Sequence, residues 1–330
     1  MTGSAKAPQI SVAPMLDWTD RHYRYLARLL SRRVVLYSEM VHARAAIHGN
    51  RERLLGFSPE EHPLVLQLGG ADPADLAAAA RIGAAWGYDA INLNVGCPSD
   101  RVQAGRFGAC LMADPPLVAE LVAAMAEAVD IPITVKCRIG IDDQDDYPAL
   151  AAFVDAVAGA GVDTFIIHAR KAWLQGLSPK ENREIPPLRP EYVHRLKAER
   201  PELNIQYNGG IRDWDQAEAV LHPADGPALD GVMVGRAAYD DPWLLTAVDP
   251  RFHGEPAPCD DPRAAVAAYR AYAAERHADG APMTGLIRPL LNLFQGRPGA
   301  RAWRRHLSTE AVRPGADPRI IDAALERLRD

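Results

Sequence analysis

With 330 residues, 48% of them apolar and 24% charged, the chain has the make-up of a globular protein holding one large domain or two ordinary ones. No apolar run approaches the roughly 20 residues of a membrane helix, and the first nine residues lack the apolar stretch of a secretion signal, so a cytoplasmic protein with no membrane partner is expected. The net charge of -6 argues mildly against a nucleic-acid ligand unless a basic patch is local, because affinity for phosphate comes from Lys and Arg.

In chain order, short β-branched or apolar runs bounded by turn residues predict eight buried strands, over 10–15, 34–40, 63–68, 89–94, 131–138, 163–168, 204–208 and 230–234. Segments of helical period lie between them, among them 72–86, 115–129 and 147–158. Pro73 and Pro115 stand where first-turn prolines belong, and Asp213 reads as the N-cap of a helix over 214–221. This alternation predicts an α/β fold, a (β/α)8 TIM barrel, filling residues 1–250, close to the usual length of about 250 residues. A doubly wound sheet shows the same alternation and stays as the alternative. Past residue 250 the pattern changes. Pro256, Pro258 and Pro262 mark a linker, and 263–276, 284–294 and 320–328 read as helices, so a small all-helical C-terminal domain over 251–330 is expected.

A TIM barrel carries its active site at the C-terminal ends of its strands. Those ends are Met15, Glu39, Gln67, Asn94, Lys136, His168, Asn208 and Gly235. Stability alone does not ask for Gln, Asn, Lys, His and Asn at equivalent places, although any one of them can be a polar residue that merely ends a strand. Gln67 and Lys136 offer hydrogen bonds at the middle of the mouth; the plainer reading of Lys136 is a barrel salt bridge. Asn208-Gly209-Gly210 and Gly235-Arg236 close the last two strands, where such barrels bind phosphate. Glycine lets backbone N–H groups approach an anion and Arg adds a planar donor fork, though glycines also simply make turns. The sharpest segment is Asn92-Leu93-Asn94-Val95-Gly96-Cys97-Pro98-Ser99, which sets a cysteine in a turn just past strand four. Cys137 alternates away from Lys136 and reads as core, while Cys110 and Cys259 carry no comparable signal. No CxxC pair occurs, so no metal is indicated.

That segment resembles the tRNA-dihydrouridine synthases, as do Val12-Ala13-Pro14-Met15, Val135-Lys136-Cys137-Arg138, His168-Ala169-Arg170, Asn208-Gly209-Gly210-Ile211 and Gly235-Arg236. The likeness spans about Ser11 to Leu307. Pro14-Met15-Leu16-Asp17-Trp18-Thr19-Asp20 and Gly296-Arg297-Pro298-Gly299 resemble the bacterial A subfamily. The resemblance implies that Pro14, Met15, Leu16, Gln67, Lys136 and His168 hold FMN, with Asn208, Gly209, Gly210, Gly235 and Arg236 completing that site. Lys136 would stand beside the flavin N1–C2=O edge and stabilise the reduced ring. NADPH would reduce the flavin and leave; there is no strand-coupled GxGxxG to hold it. The implied reaction reduces the C5=C6 bond of uridine twenty, with its neighbour twenty-a, in the D-loop of tRNA. The base is turned out of its stack, hydride passes from flavin N5 to C6, and Cys97 protonates C5 as general acid. Asn94 would hydrogen-bond the uracil edge.

The charge objection has an answer in the tail. Residues 280–309 contain no Asp or Glu but hold Arg288, Arg297, Arg301, Arg304, Arg305 and His306, with Trp303 among them. A basic face with an aromatic is what contact with a tRNA backbone needs; the plainer reading is a solvated helix face. The loop after strand six adds Arg170, Lys171, Lys180 and Arg183, diluted by Glu181 and Glu184. The resemblance implies that the helical tail grips tRNA and that this loop sets register. No obligate protein partner is evident. Two rivals remain: an FMN barrel that reduces a small pyrimidine or another enone, which does not need the arginines, and a non-catalytic RNA-binding protein built on the barrel.

Overall fold

The structure is a computed structural model that describes residues 7–144 and 146–328. One nine-stranded sheet contains β1 (Gln9–Val12), β2 (Leu36–Tyr37), β3 (Val41–His42), β4 (Leu64–Gly69), β5 (Ala90–Val95), β6 (Ile133–Arg138), β7 (Thr164–His168), β8 (Asn204–Asn208) and β9 (Gly231–Val234). Every pairing is parallel, in the order β1-β9-β8-β7-β6-β5-β4-β2, with β3 also beside β4. The two ends of that order meet where Ser11 bridges Val35. Val12 N–H donates to the Val35 carbonyl at 3.0 Å and Val35 N–H to the Ile10 carbonyl at 2.9 Å. The sheet therefore curls into the expected barrel, and the doubly wound alternative, which leaves both edges unpaired, falls away.

Two strands differ from expectation. The first ladder stops at Val12 rather than at residue 15, because Pro14 has no N–H to donate. Of the run over 34–40 only β2 forms a strand; after a break at 38–40, β3 follows just past its end. At the break, the Ser38 hydroxyl donates to the Glu39 carbonyl at 2.7 Å and accepts the Gln67 N–H at 3.0 Å, so a side chain stands in for a ladder partner.

Side chains alternate across each strand. Leu66, Leu68, Ile91, Leu93 and Val95 form one buried set. In the helix Pro73–Trp86, a Cβ added at Gly83 would lie 2.6 Å from Leu66 and 2.9 Å from Ile91, so glycine lets this helix lie directly on β4 and β5. The opposite set packs Ala13, Tyr37, Val65, Ile166 and Met233 together and also carries the polar residues of the site. The helices Pro73–Trp86, Pro115–Ala126, Tyr147–Ala158 and Trp214–Leu221 each open on an aspartate, Asp72, Asp114, Asp146 or Asp213, whose carboxylate accepts an N–H of the first turn.

By contact the chain divides into two compact units. One runs up to Met15 and adds Val35–Phe57 and Pro63–Gly235, which together carry the whole sheet; the other comprises Leu16–Val34, Ser58–His62 and everything from Arg236 on. A line drawn from the sequence at residue 250 and this division differ over 16–34, 58–62 and 236–250. Within the second unit lie the helices Arg21–Leu30, Pro262–Ala278, Met283–Ile287, Ala300–Glu310 and Arg319–Leu325. The helix expected over 284–294 stops at Ile287 and tightens into a 3-10 turn at Arg288–Leu290, where Pro289 removes a donor. Ala300–Glu310 was not anticipated as a helix.

A buried ion pair organises this second unit. Arg24 Nε donates to Glu61 Oε2 at 2.7 Å, and Arg24 also donates to the Thr19 carbonyl at 3.0 Å. Burial pushes the Glu61 carboxyl up, and the Arg24 charge opposes that shift. Arg24→Met strands a buried carboxylate, so unfolding in urea at pH 7 should show a loss of about 3–5 kcal/mol. The loss should shrink on acidification. The carboxyl without its partner titrates above its unfolded value, and its protonation below both values removes the penalty.

Candidate active site

The site grows out of the register of β4, β5 and β6. Gln67 lies opposite Asn92, and Asn92 opposite Thr134. Gln67 Nε2 donates to Asn92 Oδ1 at 2.8 Å, and Asn92 Nδ2 to Thr134 Oγ1 at 2.9 Å. Gln67 Oε1 accepts from Asn94 Nδ2 at 2.9 Å. All four side chains are buried. The amide of Gln67 is thus fixed in one orientation and retains one N–H for a further acceptor. Asn92, read in the sequence only as part of the motif, and Thr134, not singled out at all, were given no role there. The signal lay in the alternation of β5, whose Ala-Ile-Asn-Leu-Asn-Val puts two asparagines on one face.

Asn94 also builds the cysteine turn. Its Oδ1 accepts the N–H groups of Gly96 at 3.1 Å and Cys97 at 3.0 Å, an Asx-type turn that sets the backbone of Cys97. From the next strand, Arg138 Nε donates to the Gly96 carbonyl at 2.8 Å, and the Ala109 N–H donates to the Cys97 carbonyl at 2.9 Å. Gly108 has φ +72°, and a Cβ there would sit 2.6 Å from the Cys97 carbonyl oxygen, so only glycine lets the chain return this closely. The half-buried Cys97 Sγ lies 3.5 Å from Ser99 Oγ. Cys137, as expected, is core: it is fully buried, and burial pushes its thiol up to about 12.

Beside this turn stands a cation. Lys136 lies opposite Asn94 in the ladder, and its Nζ donates to Asn208 Oδ1 at 2.9 Å. Asn208 in turn donates from Nδ2 to the Met233 carbonyl at 2.8 Å. Burial, reinforced by the Arg138 charge, pushes Lys136 down to about 8. His168, opposite both Arg138 and Asn208, is driven well below its ordinary value by burial and by the cations Arg138 and Lys136, so it stands neutral. Arg138 was another residue missed from the sequence.

The glycines divide into two kinds. Gly209 and Gly210 have φ of +127° and +71°, and added Cβ atoms would lie 2.9 and 2.5 Å from Leu188, so the turn itself demands them. Gly235 lies outside the left-handed region, and a Cβ there would meet only Ala13 at 3.8 Å and Met15 at 3.9 Å. The protein does not need glycine there for itself; the residue keeps open a hollow that a side chain would fill. Pro14 and Met15 are half-buried at the end of the first strand. Leu16 and Arg236 follow Met15 and Gly235 directly in the chain and belong to the second unit, where Leu16 is 64% exposed. A cation, a neutral imidazole, oriented amides and this hollow form a donor set suited to a planar electron-accepting ring with a phosphate. Among the described residues, no group of three or more His, Cys, Asp or Glu could hold a metal ion, and no helix is long and apolar enough to cross a membrane.

The residues expected to meet RNA fall into two sets. In the loop after β7, Arg170 donates to the carbonyls of Glu184 and Pro186, which gives it a part in holding the loop, while Lys180 and Arg183 are exposed. In the second unit Arg288, Arg297 and Arg301 are exposed and Arg304 is half-buried. Arg288 donates to the Asp17 carbonyl at 2.7 Å, Arg297 lies 5.3 Å over the Trp243 ring, and Arg304 donates to Gln295 at 2.7 Å. Trp303 corrects one expectation. It is fully buried, its indole N–H donates to the Leu290 carbonyl at 2.8 Å, and it packs against Phe294, so it offers no ring for a base to stack on.

Residues 11–326 match the family model described as Dihydrouridine synthase (Dus). The chain is 56% identical to the tRNA-dihydrouridine(20/20a) synthase of Xanthomonas axonopodis pv. citri (strain 306), over 98% of its own length and 95% of that protein. It is 54% identical to the proteins of the same name from Shewanella oneidensis, over 97% and 93%, and from Escherichia coli (strain K12), over 98% and 92%. With its parallel barrel, its Gly-Cys-Pro turn and its half-buried lysine, the chain belongs to the dihydrouridine synthase family, a family of flavin oxidoreductases.

Proposed function

We propose that this chain is a cytoplasmic tRNA-dihydrouridine synthase of the bacterial A subfamily that reduces the C5=C6 bond of uridines 20 and 20a in the D-loop, with FMN as resident cofactor and NADPH as transient reductant. The observation that carries the reading is the placement of Cys97: its turn is fixed by Asn94 and Arg138, and Lys136 stands in the neighbouring strand. FMN fits the residues around it, and when bound and reduced it supplies a hydride for uracil C6.

The side chains supply the rest. Lys136 brings a positive charge to the mouth and favours a ring that gains electrons; Asn208 aims it. His168 stays neutral and offers a hydrogen bond without a competing charge. Gln67 would contribute its remaining N–H to a bound flavin, Pro14, Met15 and Leu16 would hold its ring, and Gly209, Gly210, Gly235 and Arg236 would hold its phosphate. Cys97 acts as general acid: its S–H bond breaks as the C5–H bond forms, and the thiolate later takes a proton from water. Asn94 has one N–H left for the uracil edge, beyond its work in the turn. Gly235→Val should lower flavin affinity by about 10-fold or more while circular dichroism stays native, since a Cβ there meets no protein atom closer than 3.8 Å. Native flavin content in that variant would move the phosphate elsewhere.

Lys180, Arg183, Arg288, Arg297, Arg301 and Arg304, with Arg170 behind the loop, meet the phosphates of tRNA and hold it while the base is turned out. Arg301→Ala should weaken binding alike for every tRNA and reduce the slope of log K against log salt by about 1. Reduction of the flavin by NADPH should not change. An unaltered slope would take Arg301 out of the contact surface.

The whole reading is tested on the purified full-length protein. It should be yellow, and with NADPH it should convert unmodified tRNA, but not free uridine, to the dihydrouridine form. A colourless, inactive protein would leave an RNA-binding barrel. Equal rates on uridine and tRNA would leave a reductase of small pyrimidines.

A further inference from the structure

Two side chains join the Cys97 turn to the loop that follows β7. Gln103, in the short helix Asp100–Ala104, donates through Nε2 to the Pro98 carbonyl at 2.8 Å and to the Leu174 carbonyl at 2.7 Å. Its Oε1 accepts from Gln175 Nε2 at 3.2 Å. Arg138 donates through Nε to the Gly96 carbonyl at 2.8 Å, and through Nη1 to the carbonyls of Lys171 at 2.9 Å and Asn182 at 3.1 Å. The carbonyls on either side of Cys97 are therefore each gripped by a side chain that also grips the loop. The loop has its own pivot in the fully buried Asn182, whose Nδ2 donates to the carbonyls of Trp173 and Leu177 and whose Oδ1 accepts the Trp173 N–H.

We propose that Gln103 and Arg138 are positioning residues that make the placement of Cys97 depend on the conformation of the loop over 170–189. The inference rests on Cys97 being the proton donor. Neither side chain reaches the reacting atoms through the bonds described; both act through the backbone that carries the thiol. Gln103 is half-buried, so its loss does not threaten the fold. A single hydrogen bond shifts an equilibrium by only roughly fivefold. Displacing a catalytic group by about 1 Å, however, costs on the order of 100-fold in rate. The effect should thus appear in the proton-transfer half of the reaction and in the accessibility of the thiol.

The test uses flavin-loaded Gln103→Leu, Asn182→Ala and the double variant, with Cys97→Ala alongside. Alkylation of Cys97 by iodoacetamide, followed by peptide mass spectrometry, should quicken about fivefold in Gln103→Leu as the turn loosens. Oxidation of the reduced flavin by saturating tRNA in a single turnover should slow by about 10-fold or more, with reduction by NADPH and the KM for tRNA unchanged. Asn182→Ala should likewise quicken alkylation and slow the single turnover at saturating tRNA from the loop side, and the double variant should add little to either, because both break one connection. Native alkylation and native single-turnover rates in Gln103→Leu overturn the proposal, as do fully additive losses in the double variant. If Cys97→Ala itself turns over normally, the proton-donor assignment has failed; if Cys97→Ala is dead and Gln103→Leu is native, only the coupling has.

Discussion

Replacing Cys97 by alanine should cut dihydrouridine formation about 100- to 10,000-fold while flavin remains bound. The expectation follows from how the turn is held. Asn94, Arg138 and the Ala109 N–H all grip backbone atoms of the turn, and the thiol's described hydrogen bond goes only to the Ser99 hydroxyl at 3.5 Å. Removing Sγ takes away the proposed acid and leaves its frame. Quantifying dihydrouridine by mass spectrometry in nuclease-digested tRNA, together with flavin absorbance of the purified variant, separates the two effects. Cys97→Ser should fall between wild type and alanine, since a hydroxyl is a far poorer acid than a thiol. Wild-type turnover in the alanine variant would remove the catalytic assignment, and loss of flavin would mean that the turn serves the cofactor instead.

Lys136→Met should stabilise the flavin-free protein and disable the enzyme. Burial lowers Lys136 from 10.5 to about 8, so folding at neutral pH forces a charge into a place that disfavours it. The sign runs as for any lysine with a depressed value. Below pH 8 the folded and unfolded chains both carry the proton and the penalty is complete. Between pH 8 and 10.5 the folded chain sheds its proton first, and above 10.5 the penalty has gone. The shift corresponds to about 3 kcal/mol, from which the lost bond to Asn208 subtracts about 1 kcal/mol and the partial exposure of Lys136 somewhat more. A net gain of about 1–2 kcal/mol at pH 7, fading between pH 8 and 10.5, is expected from urea unfolding of the variant. In the loaded enzyme the same change should lower the flavin midpoint potential and slow turnover by about 100-fold or more, as loss of a preorganised charge at a developing anion does elsewhere. Native potential and turnover would show that Lys136 only fills space.

The barrel was legible in the sequence because parallel strands are buried on both faces and read as short apolar runs. The run over 204–208 and the helical stretch over 147–158 coincide with β8 and with Tyr147–Ala158, the latter because Asp146 and Pro148 punctuate its start. The split at 38–40 was not legible, since it depends on Ser38 meeting the Gln67 backbone across a strand. Lys136, His168 and Asn208 stood out as polar residues near strand ends. Asn92, Thr134 and Arg138 did not, because their importance lies in the register between strands, which no single segment contains. Trp303 was placed on the basic RNA-contacting face although its spacing from Ala300 and Leu307 already put it on one helix face with two apolar residues. The grouping of 16–34 with the tail is likewise a matter of long-range contact, invisible to local pattern.

The ring is laced unevenly. β5 and β6 pair over five positions, whereas β1 meets β2 through the single bridge of Ser11 and Val35, beside a strand only two residues long. With so few ladder bonds, that seam is where hydrogen exchange is expected to begin, away from the β5–β6 pairing. If the barrel loosens there first, the amides of β5 and β6, which carry Asn94 and Lys136 in register, should be among the last to exchange with solvent on warming.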